Sequence, residues 1–595
     1  MATAALAVFR SADPDFWLHL AAGRSILAHG LPRQETWCLA AWGEAPWLTE
    51  WLFHVALYGA RALAGDWAVA AWRALWAALA VAIALRLART VGGWSWAAVL
   101  IAPLALAVER PRMVARGEQW FSVLVVVFLA AFERARRGGR ERTLLLLLPL
   151  QVLWANSHAS WVFGPAIAAL FAAVEALDAW RAHRPAGRAL RWGGVALLLA
   201  GVSAFTPVPR ETLTEPLGFL TRVGVDPMTK SIDELQRWSW PEDATDPFTG
   251  FLALALLASL LGARRAWRAS PALVISALAG LGLALTANRF CALATLVAWP
   301  PLAVALAPGG RPWSRRACLG LAGAAAAAGL FWLALRPHVL EPGVAPQWRA
   351  FPVRAAALAD SLGLDGPVLN TLEYGGYLLW VRGEGHPPLL DGRGRGSAAF
   401  RSRYVRAMVD PAAQDSLLGM WPFTHAIVKP PRAAEDYLAV GLSRRPEWAL
   451  IFADDAALLF VRRDRYPEAA RGLGYNLLTP DYARLGMLCD SARFDADLGA
   501  ALAAELERAR ASSPWHFKAS FWLSQLELSR GHPRQVLALL DDVERVRPGT
   551  PGLWVSRGMA YMILGERDSA RTALRHALRE RTNVAAARQL LETLR

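Results

Sequence analysis

Cysteine is scarce in this chain of 595 residues: Cys38, Cys291, Cys318 and Cys489 are the whole complement, and none stands in a CxxC or zinc-ligand spacing. That excludes a zinc ribbon and a thioredoxin-like redox motif, and leaves a pairing of Cys38 with Cys489 as the only disulfide to look for. Lysine is scarcer still, limited to Lys230, Lys429 and Lys518. The net charge of +15 is therefore almost wholly arginine, and the arginines stand between apolar blocks rather than in one stripe. Such placement argues against a nucleic-acid-binding surface and for orientation in a membrane. The stretch from Met1 to Arg10 is too short to read as a secretory leader.

What the chain has in quantity is apolar residue, 55% of the total, concentrated in long blocks before about residue 335. A hydrocarbon core of about 30 Å takes roughly 17–25 apolar residues of helix. Ten spans are expected, near 67–88, 94–108, 118–133, 143–157, 161–178, 190–206, 248–263, 271–287, 289–306 and 317–335. The connecting loops alternate in charge. Arg86/Arg89, Arg134–Arg142, Arg181–Arg191, Arg264–Arg268 and Arg311–Arg316 fall on one side. Residues 109–117, 158–160, 207–247 and 288 fall on the other, with less positive charge in longer loops. The positive-inside rule makes the first set cytoplasmic. Residues 11–66, 207–247 and everything beyond 336 then face the periplasm of a bacterial inner membrane. A first helix upstream of Met1 is expected on this topology.

The opening outer loop carries Asp13-Pro-Asp15-Phe-Trp-Leu-His19 and suits an interfacial helix over 16–29, closed by Gly30, with a second over 49–63 beginning at Glu50 and Trp51. Asp13 or Asp15 is a candidate catalytic carboxylate, able to deprotonate an acceptor hydroxyl or to hold a divalent cation against a phosphate leaving group. The same residues also make a good helix start: Asp13 as N-cap, Pro14 in the first turn and Asp15 against the macrodipole.

Four arginines, Arg110, Arg112, Arg116 and Arg289, lie on the outer side against the orientation rule. Their planar forks suit phosphate. Snorkelling, or pairing with Glu109 or Glu118, would also account for them. Asn156 and His158 occupy a tight outer turn and are candidate substrate contacts, although a turn needs such residues in any case. The loop 207–247 holds Glu211, Glu215, Asp226, Asp233 and Glu234 and can be a lid or a plain solvated loop.

The stretch from Asp13 to Leu52, together with Trp154-Ala-Asn156-Ser-His158, Asn288-Arg289-Phe290, Asn370-Thr-Leu-Glu-Tyr-Gly-Gly-Tyr and Leu390-Asp-Gly-Arg393, resembles bacterial GT-C-type membrane glycosyltransferases over roughly residues 11–465. The resemblance implies a mostly α chain: a polytopic transmembrane helical bundle followed by periplasmic domains. It implies an enzyme moving a sugar from a polyprenyl-phosphate carrier, with an acidic residue of the first outer loop, Asp13 or Asp15, as base. His19 and Glu50 come with those motifs as candidate substrate contacts. The alternative is a catalytically inactive scaffold; a transporter fits less well, with few charges inside spans apart from Arg73.

Four regions follow: 1–66, the first outer loop; 67–336, the spans; 345–465, a small α/β domain; and 467–595, helical repeats. Strands are expected at 367–370, 388–390, 425–428, 448–453 and 457–461, with helices at 353–362, 372–382 and 433–443. The glycine-rich turn after Asp391 lacks the strand–GxGxxG–helix order of a nucleotide site, leaving Asp391 and Arg393 as candidate acceptor contacts. Pro514 and Pro548, Gly531 and Gly565, and Leu540 and Leu574 are each 34 apart, the period of tetratricopeptide (TPR) repeats, which stack to offer a groove to a protein partner. The expected partners are thus membrane lipid, a lipid-linked sugar and a protein.

Overall fold

The computed structural model describes residues 3, 6–92, 95–223, 225–239, 246–307, 320, 341–431, 437–580 and 582–594. The expected span at 317–335 lies outside the described residues, as do Cys318 and the arginines at 311–316. The chain is mostly helical and divides into two compact units, residues 1–35 with 43–347 and residues 36–42 with 348–595.

In the first unit, α1 (Asp15–His29) starts at Asp15 and stops at Gly30, whose φ of 82° only glycine adopts freely. The next helix, α2 (Trp51–Thr90), is continuous in outline but broken at Ala64 and Gly65, where Gly65 has a φ of 61°. The expected interfacial helix and first span are thus the two arms of one kinked helix. There follow α3 (Ser95–Glu109), α4 (Glu118–Arg136), α5 (Leu147–Ala155), α6 (Phe163–Arg181), α7 (Gly187–Val202), α8 (Pro209–Arg222), α9 (Pro247–Ala269), α10 (Pro271–Ala284) and α11 (Cys291–Ala305). Each expected span up to 306 contains a helix. By length and composition, three segments among the described residues can cross a membrane unaided: α2, α6 with its preceding turn from Ala159, and α9. The others are shorter or, like the 19-residue α4, carry more charge.

Small residues set the packing. A Cβ on Gly262 would lie 2.1 Å from the Ala305 carbonyl oxygen, so α9 and α11 meet backbone to backbone. Leu256, Leu257, Leu260 and Leu261 of α9 and Leu190, Leu197 and Leu198 of α7 are exposed, apolar faces of the kind that lipid covers.

The second unit holds a four-stranded sheet in the order β1-β2-β4-β3. Its strands are β1 (Val368–Asn370), β2 (His425–Val428), β3 (Trp448–Ala453) and β4 (Leu458–Arg462). β1 runs parallel to β2, and the other pairings are antiparallel. The expected strand at 388–390 makes one bridge, Pro388 to Val368, and Leu389 and Pro388 instead accept the backbone N–H groups of Ala40 and Leu39. The β3–β4 hairpin turns on Asp454, which accepts from Ala456 and Ala457, while the Asp455 carboxylate accepts the first two N–H groups of α12 (Phe517–Ser529). From α12 onward α13 (Pro533–Val546), α14 (Leu553–Ile563), α15 (Arg567–Arg579) and α16 (Val584–Thr593) each pack on the helix before. The turns after α12 and α14 use Gly531 and Gly565, with φ of 77° and 79°. Cys38 and Cys489 are both buried and no disulfide joins them, so the pairing considered above does not form.

Candidate functional site

The candidate residues of the first unit gather where several helices begin or end. Gly117 makes the approach possible. A Cβ there would sit 2.8 Å from the Ser157 carbonyl oxygen, so the turn carrying His158 can close on the start of α4 only over glycine. Asn156 fixes the same turn from the other side. Its Oδ1 accepts from Trp51 Nε1 at 2.7 Å, its Nδ2 donates to the Val152 and Phe205 carbonyls at 2.8 Å, and its own carbonyl accepts from Leu52 N at 3.1 Å. Its amide is therefore engaged as a clamp between α2 and the end of α5.

Onto this frame is built a lattice of carboxylates and guanidinium groups. Arg116 grips Asp13 with Nη2 2.6 Å from Oδ1 and Nε 3.0 Å from Oδ2. The same guanidinium reaches Asp15 at 3.1 Å and Glu234 at 3.1 Å. Glu234 also binds Arg112, Arg112 binds Glu118, and Glu118 binds Arg289. Arg289 lies over the Phe219 ring at 5.1 Å. Asp13 does not act as the N-cap of α1. Pro14 holds that position, and Asp13 reaches Asp15 N only at 3.2 Å while its carboxylate serves Arg116.

Electrostatics follow from this pairing. Burial disfavours ionising Glu234, but Arg116 and Arg112 outweigh it and hold the carboxyl at about 2. Burial also works against Arg112 and Arg116, and their carboxylate partners still raise both above the ordinary arginine value. Glu50 behaves in the opposite way: burial, with the charges of Asp15 and Glu118, pushes its carboxyl up to about 8. Burial holds the His158 imidazole down at about 4 against the pull of Glu118.

Two candidates stand apart. His19 is buried, with Nδ1 2.9 Å from His54 Nδ1, so one ring donates and the other accepts. Arg110 is buried with its guanidinium 3.8 Å from the centroid of Phe9, which Arg73 also covers at 4.7 Å. It takes no place in the ion-pair lattice, nor does it pair with Glu109 there. Asp391 and Arg393 belong to the second unit, where they form a buried pair of their own at 2.6 Å, with Arg393 5.3 Å from Trp37.

A divalent cation finds no ready cradle. Among the described residues no three His, Cys, Asp or Glu side chains converge as metal ligands, and Asp13, Glu118 and Glu234 are turned onto guanidinium groups.

Arg116, Glu118 and Glu234 are recognisable in sequence as charges between apolar runs, but not as the hub and its partners; Arg116 meets Asp13 and Glu234 across 103 and 118 residues. His54 carries no signal beyond its place in an apolar helix.

No family model matches the chain, and no curated protein does. Solved structures of the oligosaccharyltransferase of the archaeon Archaeoglobus fulgidus are similar in fold at 13% identity. The apo form has a TM-score of 0.44 and is matched over 71% of this chain and 66% of that one. The form tethered to an acceptor peptide with the NVT sequon has a TM-score of 0.46, with 71% and 65% covered. The complex with Zn and sulfate has a TM-score of 0.46, with 94% and 82% covered. This chain spans just under two thirds of the length of the first two.

Proposed function

We propose that this chain is a GT-C-type membrane glycosyltransferase that moves a sugar from a polyprenyl-phosphate carrier to an acceptor on the periplasmic face of a bacterial inner membrane. The observation that carries the reading is the lattice of Asp13, Asp15, Glu118 and Glu234 with Arg112, Arg116 and Arg289, gathered at the ends of apolar helices. Membrane-end clusters of that charge density cost desolvation and are kept for a ligand or a reaction. Within it the more exposed Asp15, at 23% against 2% for Asp13, is the base that takes the acceptor proton. Asp13 anchors Arg116. Arg289 and Arg112 meet the phosphate, which reaches them in competition with Glu118. The helical array of the second unit acts as a TPR-like docking surface and favours a protein or an assembly as partner.

A scaffold without catalysis is the second reading, favoured by the way Arg116 already occupies both oxygens of Asp13. Mass spectrometry of lipid retained by the purified chain tests the proposal. A polyprenyl phosphate or its sugar ester is expected with the native protein and is depleted in Arg289→Ala. Retention of ordinary phospholipid alone, unchanged in the variant, contradicts it.

A further inference from the structure

Glu50 differs from the other carboxyl groups of the lattice. Asp13, Asp15, Glu118 and Glu234 each lie against at least one guanidinium. The ion-pair contact of Glu50 is with an imidazole, His158 Nε2, at 3.8 Å. Glu50 stands at the N-cap of α2 without capping it, so its carboxyl is not spent on the helix. Its surroundings come from every element around it: Asp15 from α1, Glu118 and Arg116 from the start of α4, Arg289 from the segment before α11, and His158 from the turn. The two carboxylates disfavour its ionisation and the two arginines favour it, and with burial the acid form prevails at neutral pH.

The imidazole is fixed in one form. Ser160 N donates to His158 Nδ1 at 3.1 Å, and Ser160 Oγ lies 2.7 Å from the same nitrogen. A ring that accepts at Nδ1 and stays neutral carries its proton on Nε2. Phe121 stacks on the ring at 6.0 Å with an angle of 11° and holds its plane. The Nε2–H therefore faces the Glu50 carboxyl at 3.8 Å, beyond direct hydrogen-bond reach. A neutral acid O–H and a neutral N–H then converge on one point.

We propose that Glu50 and His158 form a two-donor subsite for an oxygen of a phosphate ester. The inference rests on the reading above that a phosphate binds in this lattice. Its physical sense is that the arginines are already shared among carboxylates, so a further anion is held best by donors that bring no charge of their own. Deprotonation of Glu50 replaces a donor with a negative acceptor and expels the anion.

The test uses the full purified chain with two probes, inorganic phosphate and farnesyl phosphate. Infrared titration of the native protein is expected to show a protonated carboxyl band that disappears about pH 8 and is missing in Glu50→Gln. Affinity for both probes is expected to fall about tenfold per unit above that pH. Glu50→Gln, which keeps a donor but cannot titrate, is expected to bind with a flatter profile, and Glu50→Ala to bind about tenfold more weakly at neutral pH. Tighter binding of farnesyl phosphate than of inorganic phosphate assigns the subsite to a lipid headgroup; equal binding assigns it to free phosphate. A native profile matching that of Glu50→Gln, or no carboxyl band that Glu50→Gln removes, overturns the inference and leaves sugar transfer standing. Loss of sugar transfer as a reading leaves the band and the phosphate profile as they are.

Discussion

At the scale of single residues the account turns on Arg116. One guanidinium holds Asp13, Asp15 and Glu234, so its removal takes the guanidinium from buried Asp13, takes one contact from Asp15 and leaves Glu234 to Arg112. Breaking a buried pair from one side costs about 3–5 kcal/mol. Arg116→Met is therefore expected to lower the thermal midpoint of the detergent-solubilised protein by several degrees, and Arg116→Lys by less, since lysine keeps the charge but not the fork. Unchanged melting in Arg116→Met would remove the hub. The residue types of the site were legible: aspartates ahead of the first helix, arginines between apolar runs, a histidine in a tight turn. Their partners were not. Ion pairs separated by more than a hundred residues leave no local pattern, and an amide such as Asn156 reads alike whether it holds a substrate or two helices.

At the scale of elements, close approach between backbones decides where the site forms. A Cβ on Gly23 would come within 2.2 Å of the His54 carbonyl oxygen, so α1 lies against α2 only with glycine there. That contact brings His19 to His54 and sets Asp15 near Glu50. Gly23→Leu is expected to destabilise the pair by about 1–3 kcal/mol, to expose Trp17, now 1% accessible, and to red-shift tryptophan fluorescence. An unaltered spectrum and melting curve would show that α1 docks by other means. Hydropathy located the helices because apolar runs report burial directly. It gave their extents closely: α3 covers 15 residues where 94–108 was expected, while α5 and α11 fill 143–157 and 289–306 only together with the tighter turns at Glu141–Leu146 and Asn288–Phe290. The second unit was read more closely, since hairpin turns and strand alternation are local signals. Pro388–Leu390 failed as a full strand because residues 39–40 take its edge. The 34-residue spacing reappears as left-handed Gly531 and Gly565 at matching turns.

At the scale of the whole molecule, apolar helices carry exposed leucine faces, a charged lattice gathers at helix ends, and a helical array follows in a separate unit. The proposed activity joins these parts: the membrane presents a lipid-borne donor, the lattice holds its phosphate, and a carboxylate takes the acceptor proton. The most direct test is turnover of a polyprenyl-phosphate sugar by the purified full chain, comparing native protein with Asp15→Asn. Removing a general base is expected to reduce turnover about 100-fold or more while leaving donor binding within a factor of about three. Turnover that is equal in the two proteins contradicts the account.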